Sequence, residues 1–212
     1  MKEKIKRIEE LYKRAVTEAF GRIEEHMVEF EKTGKQRPQE EIKENIIKCR
    51  KRAIKYIDEI LEIDSKNIKA LGLKGFVLGN MRKFGQAEFY YDQALEINPN
   101  DYFALSGKAN LLKEQGKYEV AIDYFEKAYK VDPKNITPLF LKLFCLQELL
   151  SFFHELMSKY KTSSKEWKNL FREHENLFKK YRKAEKEYNK AIEKDEDVQS
   201  ALNLLKDNER KN

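Results

Sequence analysis

The sequence repeats itself with a period of 34 residues, and this period constrains the fold more than any other feature of the chain. Residues 68–101 and 102–135 align without a gap and share nine identical positions. The identical pairs are Ala70/Ala104, Leu71/Leu105, Lys74/Lys108, Leu78/Leu112, Lys83/Lys117, Ala87/Ala121, Tyr90/Tyr124, Ala94/Ala128 and Pro99/Pro133. A period of this length predicts one small structural unit that is repeated in tandem and buries its apolar face against its neighbours.

The spacing of apolar residues within one period predicts two helices. Leu71, Gly75 and Leu78 lie three or four residues apart, which puts them on one helix face, and the spacing from Ala87 to Ala94 predicts a second helix. Small residues on these faces let two helices approach closely. The predicted turn and end residues are Phe84 and Tyr118 at the start of each second helix, Gly116 before the turn, and Pro99 and Pro133 at the end of each unit.

Together these residues resemble the tetratricopeptide repeat, a helix-turn-helix unit of 34 residues. The resemblance implies an all-α fold in which helical hairpins stack into a solenoid, a right-handed superhelix, and it implies a function in protein-protein interaction. Lys74 and Lys108 depart from the family pattern in the first helix, and Arg82 stands where the family favours a turn glycine. The two clear repeats cover 68 of the 212 residues.

The flanking segments predict long capping helices at both ends of the repeats. Residues 1–67 match the second half of a repeat near their end, and two apolar stripes separated by Gly34–Pro38 predict a long antiparallel helical hairpin. The stripes are Ile5, Ile8, Tyr12, Ala15, Ala19, Ile23, Met27 and Phe30, then Ile42, Ile46, Cys49, Ala53, Ile57 and Ile60. We expect residues 1–67, 68–135 and 136–212 to form one continuous domain.

Residues 136–212 predict three further helices. The first is an apolar helix over 136–160, which is no membrane span because charged residues such as Lys142 and Glu148 interrupt it. Ser163 and Glu166 predict a capping box before one long amphipathic helix over 164–194. A short helix from Val198 to Leu205 is expected to close the array.

The sequence offers no residue pattern that would support catalysis, and we expect no cofactor, no metal site and no enzymatic activity. Cys49 and Cys145 lie 96 positions apart on apolar stripes, so we interpret them as buried thiols. His154 and His174 lie in charged amphipathic helices without a third group to orient them, and His26 does not cluster with the cysteines. The first residues lack the apolar core of a signal peptide, which predicts a cytoplasmic protein.

The resemblance also implies a binding groove, because the first helix of each repeat lines the concave face in this family. The residues expected there are Lys69, Phe76, Asn80, Phe103, Asn110, Phe140, Phe144 and Gln147. The predicted partner is a peptide or helix of another protein. The alternative is that the long flanking helices fold back and bury the four phenylalanines. The family's carboxylate clamp for chaperone tails is not expected, because its positions hold Gly72, Phe76, Gly107, Thr137 and Leu141.

Two other functions are alternatives to peptide binding. One is a homodimer or larger self-assembly through the aromatic stripe from Trp167 to Tyr188 or the stripe from Ile5 to Phe30. The other is nucleic-acid binding, suggested by a pI near 9.0. The net charge is +2 over residues 1–67, +1 over 68–135 and +3 over 136–212, so it is spread along the chain. Mixed Lys and Glu on helices is typical of a solvated face, and we therefore do not expect nucleic acid as a partner.

Overall fold

The structure is a computed structural model that describes residues 2–20 and 39–195, and these residues contain helices and no strands. The helices are α1 (Lys2–Phe20), α2 (Gln39–Ile63), α3 (Ile68–Asn80), α4 (Phe84–Ile97), α5 (Tyr102–Glu114), α6 (Tyr118–Val131), α7 (Thr137–Ser158) and α8 (Lys165–Ile192). The predicted all-α fold is confirmed. The stripe residues from Ile23 to Phe30, the interruption at Gly34–Pro38 and the Val198–Leu205 helix lie outside the described residues.

The chain divides into two compact units between Gly107 and Lys108, a point inside α5. Unit 1 precedes this point and unit 2 follows it. No helix in the described ranges is both long enough and apolar enough to cross a membrane.

In unit 1, α1 and α2 pack as an antiparallel pair. Arg7 near the start of α1 forms an ion pair with Glu59 near the end of α2, at 3.2 Å between Nη2 and Oε2. Glu18 near the end of α1 meets Arg52 further back along α2, at 3.1 Å. Between these ion pairs lies an apolar core that extends into α3. Its buried residues are Leu11, Ala15, Ala53, Ile57, Ile60, Ala70, Leu73 and Val77.

Two helices, α3 and α5, begin with a side-chain cap that repeats with the sequence period, and Asn135, at the corresponding position before α7, forms a related hydrogen bond although α7 has no side-chain cap. Asn67 Oδ1 accepts a hydrogen bond from the backbone N–H of Ala70 at 3.1 Å, and Asp101 Oδ1 accepts one from Ala104 at 2.8 Å. Asn135 Oδ1 accepts from the backbone N–H two residues on, at 3.0 Å. Short polar residues satisfy N–H groups that the first turn of a helix leaves unpaired. The 34-residue period therefore specifies helix starts as well as apolar faces.

Close packing within unit 1 depends on two glycines that face one buried ring. The Tyr91 ring lies so near to Gly75 and Gly107 that a Cβ on either residue would stand 2.9 or 2.6 Å from ring atoms. Carbon atoms do not approach so closely without displacement, so an alanine at either position would force the ring to move. The prediction that a small residue at Gly75 allows close helix approach is confirmed.

Unit 2 contains α6, α7, α8 and the second half of α5. Its core consists of Ala109, Leu112, Ala121, Phe125 and Cys145, all of them buried. α7 packs against both α6 and α8. The mostly buried Lys142 on α7 joins the three helices, because its ammonium lies 2.9 Å from Glu126 Oε1 on α6 and 3.3 Å from Glu187 Oε2 on α8.

The start of α8 corrects one prediction. The cap is Ser164 and not Ser163, since the Ser164 side chain accepts a hydrogen bond from the Trp167 N–H at 3.0 Å. Ser164 has an extended backbone, so the first helical residue is Lys165 and Trp167 is the third. Glu166 is then one residue too early to bond back to the cap, and the predicted capping box does not form.

Candidate protein-binding surface

In unit 1 the predicted groove residues Phe76 and Phe103 come together with a third ring, Phe20. The Phe20 and Phe76 rings stack with centroids 4.5 Å apart and an interplanar angle of 19°, and Phe76 lies 6.2 Å from Phe103. Phe103 lies on the α3 backbone at Gly72, where a Cβ would stand 2.9 Å from the ring. We call these three rings the α3 aromatic cluster. Phe76 is half-buried, whereas Phe20 and Phe103 are exposed.

The two polar groove residues of unit 1 lie at opposite ends of α3. Lys69 is exposed on the first turn. Asn80 is the last residue of α3, and its side chain is exposed, while its carbonyl accepts a hydrogen bond from Arg50 Nη1 at 2.7 Å. The guanidinium of Arg50 therefore caps the last turn of α3, so the Asn80 carbonyl already has a hydrogen-bond partner.

In unit 2 the predicted residues Phe140 and Phe144 lie one turn apart on α7. The Phe140 ring lies 6.0 Å from the ring of Tyr188 on α8. The Lys113 ammonium lies 5.7 Å from the centre of the Phe144 ring, at the distance of a cation–π contact. We call Phe140 and Phe144 the α7 aromatic pair. An apolar surface with one cation at its edge can accept an apolar side chain of a partner.

The remaining predicted residues of unit 2 differ in how strongly their side chains are exposed to solvent. Gln147 is exposed on α7, three residues after Phe144. Asn110 is half-buried on α5 and already takes part in an interaction within the chain. The Gln147 side-chain amide is therefore accessible to a partner. Asn110 is less accessible, because it already interacts within the chain.

Three of the four predicted phenylalanines keep large exposed areas. Phe103, Phe140 and Phe144 are 41–53% exposed, although their helices bury the opposite faces completely. Among these four, Phe76 is the half-buried ring, since it packs on the core of unit 1 and stacks on Phe20 from α1. The alternative in which the flanking helices bury all four rings is thus not what the structure shows.

The sequence interpretation missed Phe20 and Tyr188 as neighbours of the groove rings. Phe20 lies beside Ala19, outside the regular apolar stripe of α1. An aromatic residue off that stripe could have indicated a contact with the groove rings. Tyr188 was assigned only to the long stripe of α8. Its contact with Phe140 depends on how α8 lies on α7, which no local pattern specifies.

The two cysteine thiols are not bonded to each other. Cys49 and Cys145 are both free and buried. Burial raises the pKa of the Cys145 thiol to about 11, so at neutral pH it is protonated and a poor nucleophile. Among the described residues no group of three His, Cys, Asp or Glu side chains is arranged to hold a metal ion.

A cleft of about 620 Å³ lies in unit 2 between α6, α7 and α8. Lys142 lines it together with its two partner carboxylates, Glu126 and Glu187. The Lys142 ammonium is therefore already paired within the chain with both carboxylates. Ion pairs between neighbouring helices line the cleft, and we assign no ligand to it.

Comparison with protein families identifies the repeats. A tetratricopeptide repeat model matches residues 68–101, and a second tetratricopeptide repeat model matches residues 102–135. Residues 68–135 are therefore two tetratricopeptide repeats, and the predicted resemblance is confirmed with the predicted boundaries. Repeats of this family indicate protein partners in general. No curated protein matches the chain.

Solved structures resemble the fold at low sequence identity. A mutant of the O-GlcNAc transferase from Thermobaculum terrenum aligns with a TM-score of 0.52 and 17% identity over 68% of this chain. The chain corresponds to only 22% of the length of that enzyme, so the likeness shows the fold alone. MamA aligns with a TM-score of 0.47 and 17% identity, covering 68% of this chain and 73% of MamA. YrrB, a TPR protein described as having an unusual peptide-binding site, has a TM-score of 0.43 and 20% identity, covering 76% of this chain and 85% of YrrB.

Proposed function

We propose that this chain is a protein-interaction scaffold that binds apolar side chains of a peptide or helix from a partner protein. The α3 aromatic cluster and the α7 aromatic pair are the two candidate contact areas. Within each contact area the scaffold would act by holding the rings on packed helices, and the proposal assigns no reaction to the chain.

The observation that carries the proposal is the exposure of Phe103, Phe140 and Phe144 on helices that are otherwise well packed. Each exposed ring loses contact with water when a partner covers it, which contributes roughly 25 cal/mol per Å² of apolar area. Aromatic residues on rigid helices also lose little conformational freedom on binding. Amide and ammonium groups at Gln147 and Lys113 lie beside the rings and can orient a bound segment.

The experiment is affinity capture from nuclease-treated native extract with three versions of the full chain. The first is the wild type. The second carries Phe103→Ser, Phe140→Ser and Phe144→Ser. The third is a matched control with Phe89→Ser, Phe152→Ser and Phe178→Ser, which removes three rings of similar exposure, 49–58%, from other positions. Circular dichroism must show that all three chains are folded.

The expected result is a protein that the wild type and the control capture and the second version loses. Its binding should then be measured with purified proteins, and we expect a loss of about tenfold or more when the three rings are removed. Equal capture by all three chains would contradict the proposal. Light scattering on the purified wild type would also test the self-assembly alternative, because an apolar interface between copies predicts a dimer and the proposed scaffold does not require one.

A further inference from the structure

α8 carries a continuous row of cations on its outward face. The row consists of Lys165, Lys168, Arg172, Lys179, Lys183, Lys186 and Lys190, which we call the basic stripe. Successive members are three, four or seven residues apart, so they share one side of the helix. All seven side chains are exposed, and the stripe runs for about 38 Å at 1.5 Å per residue.

The stripe is not neutralised within the described chain. None of its seven members forms an ion pair with a described residue. The acidic residues of the same helix are placed elsewhere or already engaged: Glu187 binds Lys142, and Glu185 binds Arg182 at 2.6 Å. Two carboxylates lie beside the stripe between its ends. Glu175 lies in the gap between Arg172 and Lys179, and Glu187 lies four residues after Lys183, lines the same cleft as Lys183 and is already bound by Lys142.

Two lysines of helix α2, in comparison, are paired with carboxylates of their own helix. Lys43 lies 3.2 Å from Glu40, and Lys48 lies 2.7 Å from Glu44. On α8, by contrast, Lys179, Lys183, Lys186 and Lys190 follow one another at three- and four-residue spacing, and the acid that lies among them at such spacing, Glu187, is bound by Lys142. Like charges at this spacing destabilise a helix, and an external polyanion would relieve the repulsion.

We propose that the basic stripe binds the phosphate backbone of a nucleic acid. The chemistry of the face favours this partner over an acidic protein, because lysine is depleted in protein-protein interfaces. A membrane surface is also disfavoured, since interfacial helices insert an apolar face and the apolar face of α8 packs on α7. A straight row of lysines beside solvent suits a regular array of phosphates.

The net charge of the C-terminal segment does not reveal the basic stripe. The net charge of residues 136–212 is only +3, because the acidic residues of this segment offset most of its lysines and arginines. Helix α8 gathers seven of these cations on one side, and a count along the chain does not detect that grouping.

The test is fluorescence anisotropy with the full chain, a labelled DNA duplex of about 25 base pairs and the corresponding single strand, between about 50 and about 200 mM salt. If all seven cations contact phosphates, log K should fall with log salt at a slope of about −6 for the duplex, or about −5 for the single strand. The variant Lys179→Gln, Lys183→Gln, Lys186→Gln, Lys190→Gln should reduce the duplex slope to about −3 and weaken binding at low salt by about tenfold or more.

A matched variant separates the stripe from net charge. Lys43→Gln, Lys48→Gln, Lys51→Gln, Lys55→Gln removes the same four charges from α2, and it should leave the affinity within about threefold of the wild type. Equal weakening by both variants would overturn the proposal, as would no binding of either nucleic acid at low salt. It would also be overturned if vesicles of phosphatidylserine and phosphatidylcholine, or polyglutamate, bound the stripe more tightly than both nucleic acids.

Discussion

At Arg82 the first repeat places a residue with a side chain in a left-handed backbone conformation, with φ of 58°. The equivalent residue of the second repeat is Gly116, with φ of 74°. Only glycine adopts this conformation without steric cost, and other residues lose about 1 kcal/mol there. The Arg82 guanidinium lies 5.2 Å from the centre of the Phe84 ring, and this exposed contact offsets part of that cost.

The first prediction follows from this pair of turns. Arg82→Gly should raise the free energy of unfolding by about 0.5 kcal/mol, since it removes the backbone strain and loses the weaker ring contact. Gly116→Ala should lower it by about 1 kcal/mol, although a Cβ there meets no other atom within 4 Å. Urea unfolding monitored by circular dichroism measures both changes. A loss of stability in Arg82→Gly would mean that the ring contact outweighs the strain.

Lys74 shows why a lysine occupies a position where the family favours a large apolar residue. Its side chain is mostly buried, forms an ion pair with Asp58 on α2, and lies 4.2 Å from the centre of the Tyr90 ring. Burial by itself would lower the Lys74 pKa, but the hydrogen bonds to Asp58 and Tyr90 raise it above its ordinary value. Lys142 repeats this arrangement in unit 2 by pairing with Glu126.

The second prediction is the pH dependence of the Lys74 contribution. Because its pKa is higher in the folded state, its stabilising effect is complete below the unfolded-state pKa of about 10.4 and is lost as pH rises through the folded-state pKa. Lys74→Met should therefore be less stable than the wild type by about 1 kcal/mol at neutral pH, and the difference should shrink above about pH 10. Lys69→Met, exposed on the same helix, is the control. A difference that stays constant to high pH would exclude the ionised pair as its cause.

Among the elements, sequence patterns predicted helices better than they predicted helix ends. The period of 34 predicted that the second helices begin at Phe84 and Tyr118, and they do. The capping-box pattern gave the wrong start for α8. Two adjacent serines can both cap a helix, and the sequence does not specify which of them has the extended backbone. Ser164 has it, and the helix starts one residue later than the predicted capping box implied.

The third prediction tests this assignment of the cap. Ser164→Ala should lower the free energy of unfolding by about 1 kcal/mol, since the Trp167 N–H loses its acceptor. Ser163→Ala should change it by only about 0.2 kcal/mol, the usual effect of a substitution on an exposed surface. Thermal unfolding of the two variants beside the wild type measures the difference. Equal losses would mean that the two serines share the cap.

At the scale of the whole molecule, the sequence predicted an all-α chain with two repeats, and both are confirmed. It could not predict which phenylalanines remain exposed, because exposure depends on contacts between distant residues such as Phe20 with Phe76 or Tyr188 with Phe140. The basic stripe could not be predicted from the sequence for the same reason. Its charges are separated by the direction in which one helix packs, and α8 turns its lysines outward only because α7 covers the other side.

The way the chain divides into two units leads to the last prediction. α5 is one helix from Tyr102 to Glu114, and the boundary between the units lies inside it. If unit 1 unfolded alone, the first half of α5 would lose its packing, and the remaining half is too short to be stable by itself. The units should therefore unfold together, as neighbouring repeats commonly do.

Trp167 makes this measurable, because it is the single tryptophan of the chain and lies on α8 in unit 2. Ile57→Val alters the core of unit 1 and should lower the free energy of unfolding by about 1 kcal/mol. We expect the urea midpoint recorded by Trp167 fluorescence to fall together with the midpoint recorded by circular dichroism. Ile47→Val, at an exposed position on α2, should move neither midpoint. If the Trp167 midpoint stays in place while circular dichroism shows an earlier transition, α5 does not couple the units, and unit 2 folds without unit 1.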